Sequence, residues 1–495
     1  MAGIAPRRTG AVVFGAWMIS IVTGLVFTTM VTHRLTTSQF GLLEVVTDVV
    51  AFAGYPVSVI SYWIPRDTGR GGKFGKTAIV GNLYLSLGGC AVFALFALAG
   101  GSAIASSASL FFSALALVPV AYWYRTANAI LSVHRPQATA YTLLSTEASK
   151  LAVGYLLIFV LGWGLPGVLL SLSLSNVVQA GLGTYFARGT FEGSFSFGQL
   201  KMWLKSAWLP LFDSVPAIVT LADTYAVFLV TGGYVLTGYF QAAFVIASMV
   251  GYSRYLSYAL YPMLLRGGGE RMIGSLFDLM MMVGVPMAVG VAALSPDFLY
   301  LLSKQYVVTS VPLVLLAFGA LANAIFILLD YSLMGKDTSD IAEGNRHRNL
   351  LRGSLFFVPS VNLVYGVSYI ASVVAIVYVG GGLGYSYPFI ITLWALDQLV
   401  LLAAFASIKL RRLGLAPFAG TMKPLVYYSG SAVFMAVVIR LAVPYFLAAG
   451  MPTIDYGFRL ILLVALGMCA YFGLLASVDK RSRERIARIP RIVYS

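Results

Sequence analysis

The chain has 495 residues, of which 59% are hydrophobic and only 10% charged, and its net charge is +15. A soluble domain carries about 25% charged residues. A core this apolar cannot be hidden from water, so the composition excludes a soluble enzyme and points to an all-α integral membrane protein with the bilayer as its solvent.

Taken in chain order, apolar stretches long enough to cross roughly 30 Å of hydrocarbon as helices number fourteen. They are expected at 11–32, 43–64, 77–100, 108–131, 140–162, 165–187, 208–231, 234–261, 272–295, 308–334, 355–379, 385–409, 423–447 and 456–478, and are numbered below as spans 1 to 14. Only Gly232 and Gly233 divide spans 7 and 8. Span 1 is too long for a signal-peptide core and is read as a helix that stays.

The connections alternate in charge. Alternate loops and both termini hold 26 of the 33 Lys and Arg, ending in the run from Lys480 to Arg491; the opposite loops hold Arg34 and Lys304, with Arg459 at a helix end. The positive-inside rule places the rich side, with both termini, in the cytoplasm. The net charge is then a matter of topology and of attraction to anionic lipid heads, and calls for no nucleic acid. The opposite loops are too short for a catalytic domain. No phosphate-binding P-loop occurs. Cys90, Cys469 and the three histidines, His33, His134 and His347, form no ligand-spaced set, so no metal and no cofactor are expected.

Gly41, Gly54, Tyr55 and Pro65 mark the start, the middle and the end of span 2, and recur 197 residues on as Gly238, Gly251, Tyr252 and Pro262 at the same places in span 8. Six spans separate the copies. An even number keeps the orientation, so this reads as a parallel repeat about an axis along the membrane normal. The expected division is an N-lobe at 1–187 (spans 1–6), a C-lobe at 188–409 (spans 7–12), and two accessory helices with a basic tail at 410–495.

Several segments resemble one family. The core HRLTTSQFGLLEVV within 24–66 is similar to the first two helices of polysaccharide and lipid-linked oligosaccharide flippases. LADTYAVFLVTGGYVLTGYFQAAFVIASMVG (221–251) resembles their helices 7 and 8, with an embedded acid, Asp223, and the pair Gly238–Tyr239 opening the next helix. Residues 295–340 look like helices 9–10, and VPSVNLVYGVSYIASVVAIVYVGGGLGYSY (358–387) resembles helix 11 and its Gly-rich turn. The family lies in the multidrug, oligosaccharidyl-lipid and polysaccharide exporter superfamily. The resemblance implies two six-helix lobes around a central cavity, and transport of a polyprenyl-linked glycan rather than covalent chemistry. RDTGRGGK (66–73) partly resembles a loop of major facilitator transporters, but Thr68 stands where that motif has arginine.

Charges at membrane depth cost at least about 2.5–3.5 kcal/mol and usually line a cavity or pair with one another. Candidate cations for a lipid phosphate are Arg254, Arg34, Arg66, Arg125 and Lys150; candidates for H⁺ or Na⁺ coupling are Asp223, Asp397 and Glu147. Each has a plainer reading beside it. Glu147 and Lys150, three residues apart, can neutralise each other. Arg125 can snorkel to the headgroups. Asp213, Asp278 and Asp330 read as solvated near helix ends. Tyr122, Trp123 and Tyr124 read as an interfacial aromatic belt. Arg254 stands out because SRYLSY surrounds it with hydroxyls and aromatic rings, and a guanidinium fork matches phosphate; a structural pairing with Asp223 or Asp278 is the other reading.

The sequence thus suggests a multi-pass flippase of the cell membrane, moving a polyprenyl-linked oligosaccharide or polysaccharide repeat unit by alternating access. Its partners would be the lipid-linked glycan, membrane lipids and polysaccharide assembly proteins. The alternatives are a drug or metabolite cation antiporter of the same superfamily and an integral glycosyltransferase, whose acidic pair the short loops do not supply.

Overall fold

In hydrocarbon each backbone N–H and C=O must find its partner inside the segment, and a helix does this. The computed structural model describes residues 6–69, 71–99, 108–257, 260, 264, 269–337, 353–448, 450–479 and 482–484, and among them the regular structure is helical throughout. The protein is an all-α membrane protein. A helix or bent helix pair stands at each of the fourteen expected spans. Eleven are single helices long and apolar enough to cross a membrane, and two more are bent pairs. The remaining one, Ala108–His134 at span 4, has 27 residues, about 40 Å at 1.5 Å per residue.

Local chemistry sets the ends. Thr36 and Gln39 form a reciprocal capping box at the start of span 2, with each side chain bonded to the other's backbone. Gly232 takes φ +63°, a left-handed turn that stops the second helix of span 7 at the expected break. The outward faces are apolar: Ile454 is 89% exposed and Leu441 68%. Such faces are stable only against lipid.

By compactness the chain divides after Gly238, so that spans 1–7 fall in one unit and span 8 onward in the other. In the first unit the paired helices of span 7 pack along span 2. The two leading glycines of the repeat meet there: a Cβ on Gly41 would lie 1.9 Å from the Tyr234 carbonyl oxygen, and one on Gly238 would lie 2.1 Å from that of Thr37. No other residue fits either position.

The repeat also marks where helices stop. Span 2 is not one helix: Thr37–Gly54 ends at the repeat's Gly–Tyr pair, and Val57–Gly69 continues at 56°. Span 8 changes at the matching pair while running on as one span: Val235–Gly251 passes at Tyr252 into a tighter 3₁₀ turn through Ser257. Pro262, the last member of the repeat, lies outside the described residues.

Candidate substrate-binding site

The 3₁₀ turn after Gly251 carries Arg254. Ser253 is buried, with its hydroxyl beside Gly284 of span 9. Tyr252, Arg254 and Tyr255 open on a cavity of about 260 Å³ that Ser248, Asn323 and Gln398 also line. All its walls come from the second unit, on spans 8, 10 and 12. The Arg254 guanidinium carbon lies 5.4 Å from the centre of the Tyr255 ring. One permanent charge, two phenols, a hydroxyl and two carboxamides suit a phosphate-sized anion or a sugar face. Beside it, Asp397 accepts a 2.6 Å hydrogen bond from the Ser372 hydroxyl of span 11.

The other candidate cations belong to the first unit, and each meets its own neighbours. Arg125 is half-buried and donates to the Gly54 carbonyl at 3.4 Å, with its Nε 3.4 Å from the Tyr124 hydroxyl. It caps the broken end of the first helix of span 2, where unsatisfied carbonyls carry partial negative charge. It therefore turns inward to a helix end instead of snorkelling. Lys150 pairs with Glu147 at 2.6 Å, and Glu147 also accepts from Ser20 at 2.9 Å and Thr23 at 2.7 Å. That set joins span 5 to span 1. Arg34 and Arg66 are exposed near opposite ends of span 2, with guanidinium carbons 4.3 Å from the Phe159 ring and 4.2 Å from the Tyr62 ring. No single site gathers these four.

Asp223 begins the second helix of span 7, where the backbone N–H of Thr224 bonds to it at 2.8 Å. Thr224 in turn donates its hydroxyl to buried Asp48 of span 2. Asp223 interacts electrostatically with both Asp48 and Glu44. Glu44 is not among the residues expected from sequence to matter, although its spacing of four from Asp48 puts both on one helix face.

Three expectations need correction. Asp330 and Asp278 are not solvated. Asp330 is buried and forms an ion pair with Lys409, which is fully buried within the helix of span 12 and also donates to Asn362 at 2.6 Å. Lys409 ends the expected span 12 beside Arg411 and Arg412, and its partners lie on spans 10 and 11. Asp278 is buried and accepts from the Tyr428 hydroxyl at 2.9 Å, joining span 9 to span 13. Nor is Tyr122 part of a surface belt: it is fully buried, and its hydroxyl donates to the Ala53 carbonyl at 2.7 Å. The Asp213 side chain lies outside the described residues.

No family model and no curated protein matches this sequence. Solved structures do. A lipid II flippase, MurJ, in an inward closed conformation is 15% identical, over 95% of this chain and 98% of its own, with a TM-score of 0.66. The protein shares the fold of that flippase. A variant of a Vibrio cholerae MATE transporter, VcmN, is 14% identical over 82% and 96% of the two chains, with a TM-score of 0.48. An inward-facing multidrug resistance MATE transporter of the MOP superfamily is 14% identical over 99% and 97%, with a TM-score of 0.37. The resemblance drawn from the sequence and the likeness to the flippase thus agree on the fold.

Proposed function

We propose that this protein carries a polyprenyl-linked oligosaccharide or polysaccharide repeat unit across the cell membrane by alternating access, with both termini in the cytoplasm and no covalent chemistry. The observation that carries the reading is Arg254: an arginine on a helix break, within a membrane span, lining a polar and aromatic cavity. A guanidinium there holds the lipid's phosphate, while hydroxyls and carboxamides meet the first sugar. The fold shared with a lipid II flippase supports a lipid-linked substrate. The test is reconstitution in liposomes with a fluorescent polyprenyl-diphosphate oligosaccharide, scoring transfer to the far leaflet. Arg254→Ala should abolish transfer at unchanged expression; Arg254→Lys should restore part of it, since a point charge replaces a bidentate fork.

A cation antiporter is the second reading, favoured by the carboxylates Glu44, Asp48 and Asp223 in the first unit. It requires uptake of an organic cation that Asp48→Asn and Asp223→Asn abolish and Arg254→Ala spares. In the flippase reading Asp223 and Asp397 serve H⁺ or Na⁺ coupling, and Asp397→Asn should change the dependence of transfer on an imposed ion gradient.

A further inference from the structure

The connection between spans 6 and 7 contains a short helix, Phe197–Lys205, that the transport reading leaves unused. Ser196 caps it by accepting from the Gln199 backbone N–H at 3.3 Å. One face is fixed to the first unit. Leu200 and Trp203 are buried against Ile60, Ile64, Ala78 and Leu131, at the basic-side ends of spans 2, 3 and 4. Asp67 accepts from both Gln199 and Trp203 at 2.8 Å. The Ser196 backbone N–H bonds to Thr77, and Lys73 pairs with Glu192 at 2.5 Å. The helix is thus held at the level where the spans end.

The adjoining face is uncovered among the described residues. Phe197 is 69% exposed, Leu204 42% and Trp208 68%. At 100° per residue Phe197 and Leu204 fall on one stripe, about 90° round the helix from the buried face, and Trp208 follows just beyond the helix end. Lys201 and Lys205, both exposed and four residues apart, run along its edge. The helix itself carries no acidic residue. Trp208 then opens the first helix of span 7, so the chain turns into the bilayer directly afterwards. An apolar stripe with a basic edge at this depth is the pattern of a helix lying in a headgroup layer.

We infer that the Phe197–Lys205 helix is an anionic-phospholipid site: Phe197, Leu204 and Trp208 enter the acyl boundary, and Lys201 and Lys205 hold the acidic headgroups of the leaflet on the basic side. The charge complementarity selects an acidic lipid over a zwitterionic one. A lysine near an anionic surface contributes about 1 kcal/mol, so the pair gives a preference of up to about 30-fold.

The experiment places the full chain in phosphatidylcholine nanodiscs. In one series increasing brominated phosphatidylglycerol is added, in another increasing brominated phosphatidylcholine. The share of tryptophan emission from Trp208 is taken as the difference between wild type and Trp208→Phe. Brominated phosphatidylglycerol should quench that share at a several-fold lower mole fraction than brominated phosphatidylcholine. Lys201→Ala/Lys205→Ala should remove the difference while leaving quenching by phosphatidylcholine, and Lys201→Arg/Lys205→Arg should retain it. Equal quenching by both lipids in the wild type, or a preference that survives the double alanine variant, overturns the inference. Absence of Trp208 quenching by either lipid also overturns it, and would mean that protein covers this face. None of these readouts depends on transport.

Discussion

Span 2 and span 8 change at the same pair of residues, Gly54–Tyr55 and Gly251–Tyr252, the first by a bend and the second by passing from α-helix into a 3₁₀ turn, and the two breaks use arginine differently. In the first, the arginine comes from a neighbouring helix: Arg125 of span 4 reaches the carbonyl of buried Gly54 at the helix end. In the second, Arg254 sits on the break itself and lines a cavity. The same backbone device thus yields a capped helix end in one unit and a wall of a candidate binding site in the other. A repeat can preserve the place where an α-helix stops while the charge beside it differs. Lys150 and Lys409, which also lie in spans, each form an ion pair with a carboxylate, whereas Arg254 lines a cavity.

Three variants probe that contrast. The largest effect is expected for a paired charge. Lys409→Met strands buried Asp330 and should destabilise the fold by about 3–5 kcal/mol. Adding Asp330→Asn should recover most of it, as read by thermal unfolding in detergent. If Lys409→Met melts like wild type, pairing is not what makes that charge tolerable. Next comes Arg125→Ala, which leaves the Gly54 carbonyl without its donor and should cost about 1–3 kcal/mol. Transfer per folded molecule should stay near wild type; a specific loss of transfer would move Arg125 into the binding site and erase the difference between the two breaks. The smallest is Tyr122→Phe, which removes one buried hydrogen bond to the Ala53 carbonyl, beside the same break. About 1 kcal/mol is expected, and a much larger loss would show that this tie, and not Arg125, holds the bend.

Number and place of the helices are legible in the sequence because lipid demands long apolar runs and tolerates little else. The recurring Gly–Tyr pairs are legible too, but the pattern sets them in mid-span; that Thr37–Gly54 and Val235–Gly251 end there comes from the structure alone. What the pattern lacks is the partner. Arg125 lies 71 residues beyond Gly54, and nothing local ties them. Lys409 stands at the end of span 12 beside Arg411 and Arg412, and nothing near it in sequence points to Asn362 and Asp330, which close it from other spans. Asp278 reads as solvated until Tyr428, 150 residues on, is seen to bond to it. Arg254 is the candidate whose setting was most nearly legible, because Tyr252 and Tyr255 are sequence neighbours that also line its cavity.

The central claim is that the break of span 8 binds the anionic part of the substrate and that of span 2 does not. The direct measurement compares Arg254→Ala and Arg125→Ala in liposomes, at equal amounts of folded protein, for transfer of a labelled polyprenyl-diphosphate oligosaccharide. Truncating one partner of a buried charge pair costs about 2–5 kcal/mol. Arg254→Ala should therefore lower transfer by roughly 30-fold or more, while Arg125→Ala stays within a few-fold of wild type. Full transfer by Arg254→Ala, or equal losses in the two variants, would contradict the account.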